Sequence, residues 1–388
     1  MNYAGKILTA PAEAGADAPI RLKRMDLFPV AIPLRQPMKM AGVVIREAEN
    51  LFLRIETADG FVGWGEAASA PAMTGETLWG MTAAARLIWD SVKDCDARFR
   101  PDLMRRVRAS IYGNTGAKSA VEMAVIDLIG RKLGVSAVEI LGGRSRDVLE
   151  PMWMLGHAAP EEDVEEARVQ HAKGYRFFKL KVGTKSIEND IASVMGVREA
   201  IGPAAKLCAD ANGGLEYTAA RRLIRETESA NLLYLEQPLP ADSLDQLAKL
   251  NQLGIVPIGI DEGIHSRHDI ETHAARGAAS GVSLKLIKLG GLTPALECAG
   301  RAIELGLSIN VAAKVAETSL ASAAAAHVAV AIRNFDWGLS LTQIYLEHDP
   351  VHNAMRIENG CVAPPPGQGL GIEVDDTALR HFQRAVPA

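Results

Sequence analysis

Phe177-Phe178-Lys179-Leu180-Lys181-Val182-Gly183 is an apolar run of strand type that carries two lysines two positions apart. Strand side chains alternate, so Lys179 and Lys181 share a face. On an exposed edge strand that face would be solvated and unremarkable. On a strand lining a barrel both ammoniums would point inward, where lysine is costly unless paired or functional. The residues downstream decide between these readings. Further strand-like runs end near Asp210, Glu236 and Asp261, and another carries Lys285-Leu286-Ile287-Lys288. Positions 181, 210, 236, 261 and 285 are separated by 29, 26, 25 and 24 residues. A strand, a loop, a helix and a return loop take about that length, so each step is one βα unit. A chain of such units closes into a parallel barrel, and residues at the C-terminal ends of its strands converge on one mouth.

One acid at a strand end often does no more than cap the next helix. Three on consecutive strands would share the mouth and repel one another unless a positive charge lay between them. A hard divalent cation with oxygen ligands answers that need. The flanking lysines then suggest proton transfer on both faces of one carbon. Nearby cations and partial burial are expected to depress the lysine pKa and favour a neutral amine. Lys285 and Lys288 differ in strand parity, so only Lys285 is expected to face in, with Lys288 in a loop or touching an anion. Asn212 and Glu262 adjoin the acids and suit orienting roles. Glu317 could face the mouth or cap a helix. His265, His268 and His273 read as surface residues.

Eight strand-like runs alternate with helical patterns from Pro151 onward: 153–155, 177–182, 207–209, 233–235, 258–260, 282–287, 308–311 and 337–341. This is α/β order of (β/α)8 type. Upstream, residues 21–35 read as a strand and 50–66 as a hairpin with Asp59-Gly60 at its turn. Loops are expected over 36–43 and 70–76. An apolar stripe over 117–133 predicts a helix ended by Gly134. Strands followed by helices indicate an α+β domain. Met1–Ile20 reads as a loose tail, and after Asn359 the chain turns rich in Pro and Gly and folds back on the first domain.

The bulk properties exclude several classes. A charged fraction of 23% and hydrophobic fraction of 48% suit a folded globular chain that needs no disulfide staples. A net charge of −5 leaves no basic surface for nucleic acid. No apolar run approaches the roughly 20 residues of a membrane helix. Cys95, Cys208, Cys298 and Cys361 form no C-x-x-C pair and read as reduced thiols of a cytoplasmic protein.

Taken together, Phe178–Gly183, Asp210-Ala211-Asn212, Glu236-Gln237-Pro238, Asp261-Glu262 and Lys285-Leu286-Ile287-Lys288-Leu289-Gly290-Gly291 resemble the enolase superfamily, in its muconate-lactonizing branch. Gly113–Ala120 and Leu141-Gly142-Gly143-Arg144 look like the same branch. The resemblance runs from about Arg21 to the C-terminus. It implies a (β/α)7β TIM-like barrel over 150–359, with an N-terminal α+β capping domain over 21–149 completed by 360–388. It implies Mg²⁺ or Mn²⁺ on Asp210, Glu236 and Asp261, and a metal-stabilised enolate of a small carboxylate substrate. Lys181 and Lys285 would then be acid/base groups on opposite faces, with Lys179 tuning Lys181. Lys39, Met40 and Glu317 would contact substrate, and a homo-oligomer is expected.

The motif spacing looks most like bacterial muconate cycloisomerases. Those enzymes tend to carry a glycine-rich stretch after strand seven, where this chain has Ala316-Glu317-Thr318-Ser319. Dipeptide epimerases carry Asp-x-Asp after strand eight, where this chain has Leu339-Ser340-Leu341-Thr342. Mandelate-racemase-like members use a His-Asp pair in place of Lys285. The expected activity is therefore muconate-type lactonization. The alternative is a racemase, epimerase or dehydratase acting on the proton α to a carboxylate, such as that of an N-acyl amino acid. A silent binding barrel would not be expected to retain five such charges.

Overall fold

A three-stranded antiparallel sheet comes first, β1 (Leu22–Met40), β2 (Val43–Thr57) and β3 (Val62–Ala68). Residues 18–40, 43–156 and 159–385 are described in the computed structural model; most of the N-terminal tail lies outside them. The hairpin between β2 and β3 turns at Gly60, whose φ of +88° suits a residue without Cβ. The expected loop over 36–43 is corrected over 36–40 and at 43, and residues 41–42 lie outside the described residues. Residues 36–40 extend β1, with Met38 opposite Ile45 and Met40 opposite Val43, after a register shift beyond Pro33. Such a shift absorbs the Pro33 and Pro37 interruptions without ending the strand. Residues 70–76 are the expected turn, closed by an Ala70–Glu76 bridge.

Helices α1 (Leu78–Val92), α2 (Arg100–Ala109), α3 (Thr115–Leu133) and the single-turn α4 (Ala137–Ile140) follow. Gly134 ends α3 in the left-handed region at φ +72°, as its sequence position predicts. The apolar stripe understates α3, which is buried on every side from Gly116 to Gly130. It lies so close to β3 that a Cβ at Gly65 would stand 1.9 Å from the Ala120 carbonyl oxygen. Its polar residues are satisfied inside: Asp127 accepts from the Trp64, Leu370 and Arg131 nitrogens at 3.0, 2.8 and 2.9 Å.

A second sheet holds eight parallel strands in chain order. They are β4 (Trp153–Leu155), β5 (Phe177–Lys181), β6 (Lys206–Asp210), β7 (Leu235–Glu236), β8 (Ile258–Ile260), β9 (Gly281–Leu284), β10 (Ser308–Ala312) and β11 (Leu339–Ser340). The ring closes where Pro151 bridges Leu339 and the Met152 N–H donates to the Leu339 carbonyl at 2.8 Å. Between the strands run α5 (Pro160–Ala172), α6 (Ile187–Ile201), α7 (Tyr217–Glu226), α8 (Leu244–Asn251), α9 (Arg267–Ala275), the one-turn α10 (Leu286–Leu289), α11 (Leu292–Glu304) and α12 (Ser319–Ala331). No barrel helix follows β11 among the described residues, so the architecture is (β/α)7β. The closing helix α13 (Asp376–Phe382) packs on β1, and the Arg384 N–H donates to the Pro29 carbonyl at 2.8 Å.

The barrel floor is packed by Met152, Phe177, Cys208, Tyr234 and Trp337. The Tyr234 and Trp337 rings stack at 4.0 Å and 6°. Gly259 and Gly281 make room for them, since a Cβ would stand 2.9 and 2.4 Å from Trp337 Cζ3. Two further expectations change. The strand predicted over 282–287 stops at Leu284 and becomes α10. His273 is buried at 4% exposure, its Nδ1 2.9 Å from the Asp269 carbonyl oxygen, while His265 and His268 are exposed as expected. The helical i−4 spacing of His273 and Asp269 turns that imidazole into the fold.

Candidate active site

Register carries the predicted residues to the barrel mouth. Lys181 pairs with Asp210 across β5 and β6, and Asp210 with Glu236 across β6 and β7. Glu236 pairs with Gly259, so Asp261 lies two residues further up its chain with the same inward parity. From Asp261 the series climbs again to Lys285, just beyond the end of β9. Lys179 lies one inward step below Lys181, above the floor, with its Nζ 5.8 Å from the Tyr234 ring centroid.

These side chains are buried and mutually engaged. Asp210, Glu236 and Asp261 are 3%, 1% and 2% exposed. Lys181 Nζ donates to Asp210 Oδ2 at 2.6 Å and to Asn212 Oδ1 at 2.7 Å. Lys179 donates to Glu236, which also accepts from Ser283 Oγ. Lys285 and Lys288 both donate to Asp261, Lys288 to Oδ1 at 2.6 Å. Lys288 is therefore not a loop residue; of the two expectations it meets the other, contact with an anion, in the Asp261 carboxylate. Strand parity stops applying at Leu284, and the helical turn of α10 brings positions 285 and 288 to one side. Asn212 links the acids: its N–H donates to Asp210 Oδ1 and its Nδ2 to Glu262 Oε1, both at 2.9 Å. Gln237, unanticipated, accepts the Asp261 and Gly263 N–H groups at 3.0 and 3.2 Å and so fixes the end of β8. Its place directly after Glu236 was the available signal. Glu317 is 4% exposed and accepts the Lys314 N–H at 3.0 Å, capping its own turn beside the mouth. Lys39 and Met40 end β1 at the hairpin tip; their side chains lie outside the described residues.

The electrostatics differ from the expectation for the lysines. Burial alone would lower Lys179, but Glu236 and Asp210 outweigh it and raise its pKa. Burial is likewise overcome at Lys285 by Asp261 and Glu262. Lys288 falls below its usual value, through burial. Burial would raise Asp210 and Asp261, yet the neighbouring ammoniums hold both below the usual carboxylate range. Burial pushes Glu236 up to about 7, and the carboxylates of Asp210 and Asp261 add to it against the pull of Lys179. That mutual repulsion shows three acids crowded into one place.

Among the described residues, no three acid, His or Cys groups already stand as a formed cation site, because each carboxylate grips an ammonium. The donor chemistry nonetheless fits a hard divalent ion: buried carboxylate oxygens on successive strands that repel one another. Glu262 Oε2 is a further buried oxygen with no partner among the described residues.

Comparison with known proteins agrees with this architecture. Residues 24–142 match the mandelate racemase / muconate lactonizing enzyme N-terminal domain, and residues 162–378 match the enolase C-terminal domain-like family. The chain is 30% identical over 371 residues to an N-succinyl-L-Arg/Lys racemase of Bacillus cereus, covering 94% of this chain and 98% of that protein. It is 30% identical over 381 residues to muconate cycloisomerase 1-2 of Acinetobacter lwoffii, covering 94% and 96%. The crystal structure of a muconate lactonizing enzyme from Pseudomonas fluorescens with muconolactone superposes with a TM-score of 0.90 at 28% identity, covering 95% of this chain and 100% of that one. Enzymes of this family depend on a divalent metal. Family match, barrel and mouth agree that the chain belongs to the mandelate racemase / muconate lactonizing enzyme family of the enolase superfamily, and is a metal-dependent isomerase.

Proposed function

We propose that the enzyme is a cycloisomerase that closes a lactone ring on a muconate-type dicarboxylate. The observation that carries this reading is the placement of Lys181 and Lys285. Lys181 ends β5 and Lys285 directly follows β9, four strands apart in an eight-strand ring, so they stand across the mouth from each other. The carboxylates of Asp210, Glu236 and Asp261 occupy the arc between them and would hold Mg²⁺ or Mn²⁺. When bound, the ion supplies positive charge to the enolate that develops beside a substrate carboxylate.

This chain's own residues supply the proton. In the lactonizing direction one carboxylate oxygen adds to the far alkene carbon, forming the C–O bond. The electron pair moves toward the carbon beside the other carboxylate, and a lysine ammonium gives that carbon its proton. The carboxylates around Lys285 favour its ammonium, the state an acid needs, while Lys179, one inward step below Lys181, is placed to tune it. Asn212 keeps Lys181 Nζ in place through its 2.7 Å contact. The stretch Leu339-Ser340-Leu341-Thr342 offers no acid to receive a substrate amine, which supports an all-anionic substrate. The four cysteines are free thiols, which suits a reducing compartment such as the cytoplasm.

The second reading is a racemase, epimerase or dehydratase acting α to the carboxylate of an N-acyl amino acid. The same opposed lysines favour it, since each could serve one enantiomer, as does the likeness to the N-succinyl-L-Arg/Lys racemase. Incubation with candidate acids in D₂O and Mg²⁺ or Mn²⁺, followed by NMR, separates the two. Muconate consumption with lactone formation is expected. Deuterium exchange into both enantiomers of an acyl amino acid, without muconate turnover, would replace the first reading by the second.

A further inference from the structure

The series of inward positions does not stop at Lys285. Leu284 pairs with Val311, so Lys285 is level with Ala312, and two residues further up lies Lys314. The same climb leads from Gly259 to Asp261 and from Ser283 to Lys285. Lys314 is thus the next position around the mouth, one strand beyond Lys285, and neighbouring strands lie about 5 Å apart.

Its backbone is fixed at both ends. The Lys314 N–H donates to Glu317 Oε2 at 3.0 Å, and its carbonyl accepts from Thr342 Oγ1 at 2.8 Å. The capping sheet holds the same turn, through Asn50 Nδ2 on the Ala316 carbonyl at 3.0 Å and Glu66 on the Thr318 N–H at 2.9 Å. The ammonium contrasts with its neighbours. Lys179, Lys181, Lys285 and Lys288 each reach a carboxylate. Lys314 is half-buried and forms no ion pair among the described residues. Burial pushes it down to about 8, against the opposing charge of Glu317 and, more weakly, Glu49, with Lys285 acting in the same direction as burial. A cation placed beside the reacting centre, rigidly carried and in no ion pair among the described residues, is built to receive an anion from outside the chain.

We infer that Lys314 is a specificity-determining residue that binds a second carboxylate of the substrate, distal to the one enolised between Lys181 and Lys285. The inference rests on the enolate chemistry and the dicarboxylate substrate proposed above, and adds the residue that receives the carboxylate at the far end. Lys314 acts by binding and orienting; it transfers no proton.

The test uses the full-length enzyme with Mg²⁺, muconate, muconate monoamide, and the variants Lys314→Met and Lys314→Arg. Affinity is read by calorimetry and turnover by kcat/KM. The wild type should prefer the dicarboxylate by on the order of tenfold to a hundredfold, the size of a charge-assisted hydrogen bond. Lys314→Met should erase most of that preference, mainly through KM, and Lys314→Arg should keep most of it. Lys314→Met retaining the wild-type preference overturns the inference. Tight, Lys314-dependent binding of muconate without turnover leaves the inference standing and sinks the lactonizing reading. Turnover of muconate indifferent to Lys314 does the reverse, and failure to bind either acid overturns both.

Discussion

Gly281→Ala should damage the enzyme from below. The new Cβ would stand 2.4 Å from Trp337 Cζ3, 2.5 Å from Cη2 and 2.8 Å from the Ser308 carbonyl oxygen. The carbonyl belongs to the neighbouring strand and cannot yield, so the indole must. Forcing a methyl into a packed core costs about 1–3 kcal/mol. Tilting Trp337 off Tyr234, now 4.0 Å apart, forfeits about 0.5–1.5 kcal/mol of stacking. The combined loss, about 2–4 kcal/mol, corresponds to a fall in Tm of roughly 5–15 °C at the 150–250-residue scale. Lys179 rests above the Tyr234 ring and holds Glu236, so kcat should fall along with Tm. Calorimetric scans and steady-state kinetics on the single variant, on Trp337→Phe and on the pair measure both. The smaller ring should restore part of the loss in the double variant. A single variant within a degree of wild type, or a pair whose losses add, would refute a floor packed as described.

The remaining predictions concern the mouth and its supports. Lys181→Ala and Lys285→Ala should each lower kcat by about 10²–10⁴-fold with unchanged circular dichroism; Asp261 retains Lys288 in the second, so the fold should hold. Asp210→Asn and Asp261→Asn should weaken Mg²⁺ or Mn²⁺ binding measured by calorimetry, and unaltered affinity would remove those residues from the ligand set. Glu66→Gln places an amide N–H₂ against donors from Thr318, Ala321 and Asn50, which should cost about 1–3 kcal/mol in chemical unfolding. Burial pushes the His327 imidazole down to about 4, below its unfolded value near 6.5. The stability it contributes is present above about 6.5 and lost as pH falls toward 4, so Tm should drop across that window, and less steeply in His327→Gln.

The sequence made the barrel readable because its βα period is long, regular and punctuated by charged residues at strand ends. Helix α3 was found from its stripe, yet its burial on all sides was not, because that depends on β3 and the barrel approaching from opposite directions. Contact of Lys288 with an anion was legible, but not that it faces the mouth beside Lys285, because strand parity does not extend past Leu284, where the backbone changes to a helical turn. Residues 36–40 read as a loop in the sequence because Pro33 and Pro37 break the local pattern, whereas pairing with β2 restores it across a register shift. The pKa directions of Lys179 and Lys285 run opposite to the expectation for a similar reason. Burial is visible in a sequence as apolar flanks, but the carboxylate that answers each ammonium comes from another strand. Lys314 shows the limit most plainly. In sequence it is one lysine in an alanine-rich segment, and only the register of β9 and β10 places it next to Lys285.

The joining of α13 to β1 also sets an order in time. One edge of the first sheet is covered by residues some 350 positions later, where Gln383 bridges Val30 and Arg384 reaches Glu47 at 2.6 Å. At synthesis rates of about 5–20 residues per second, tens of seconds separate the emergence of the two partners. All eight barrel strands leave the ribosome before the last piece of the sheet that abuts their mouth. A nascent chain could therefore assemble its charged ring before the final helix settles against β1, and a stop codon shortly before Asp376 would leave the barrel complete and β1 uncovered.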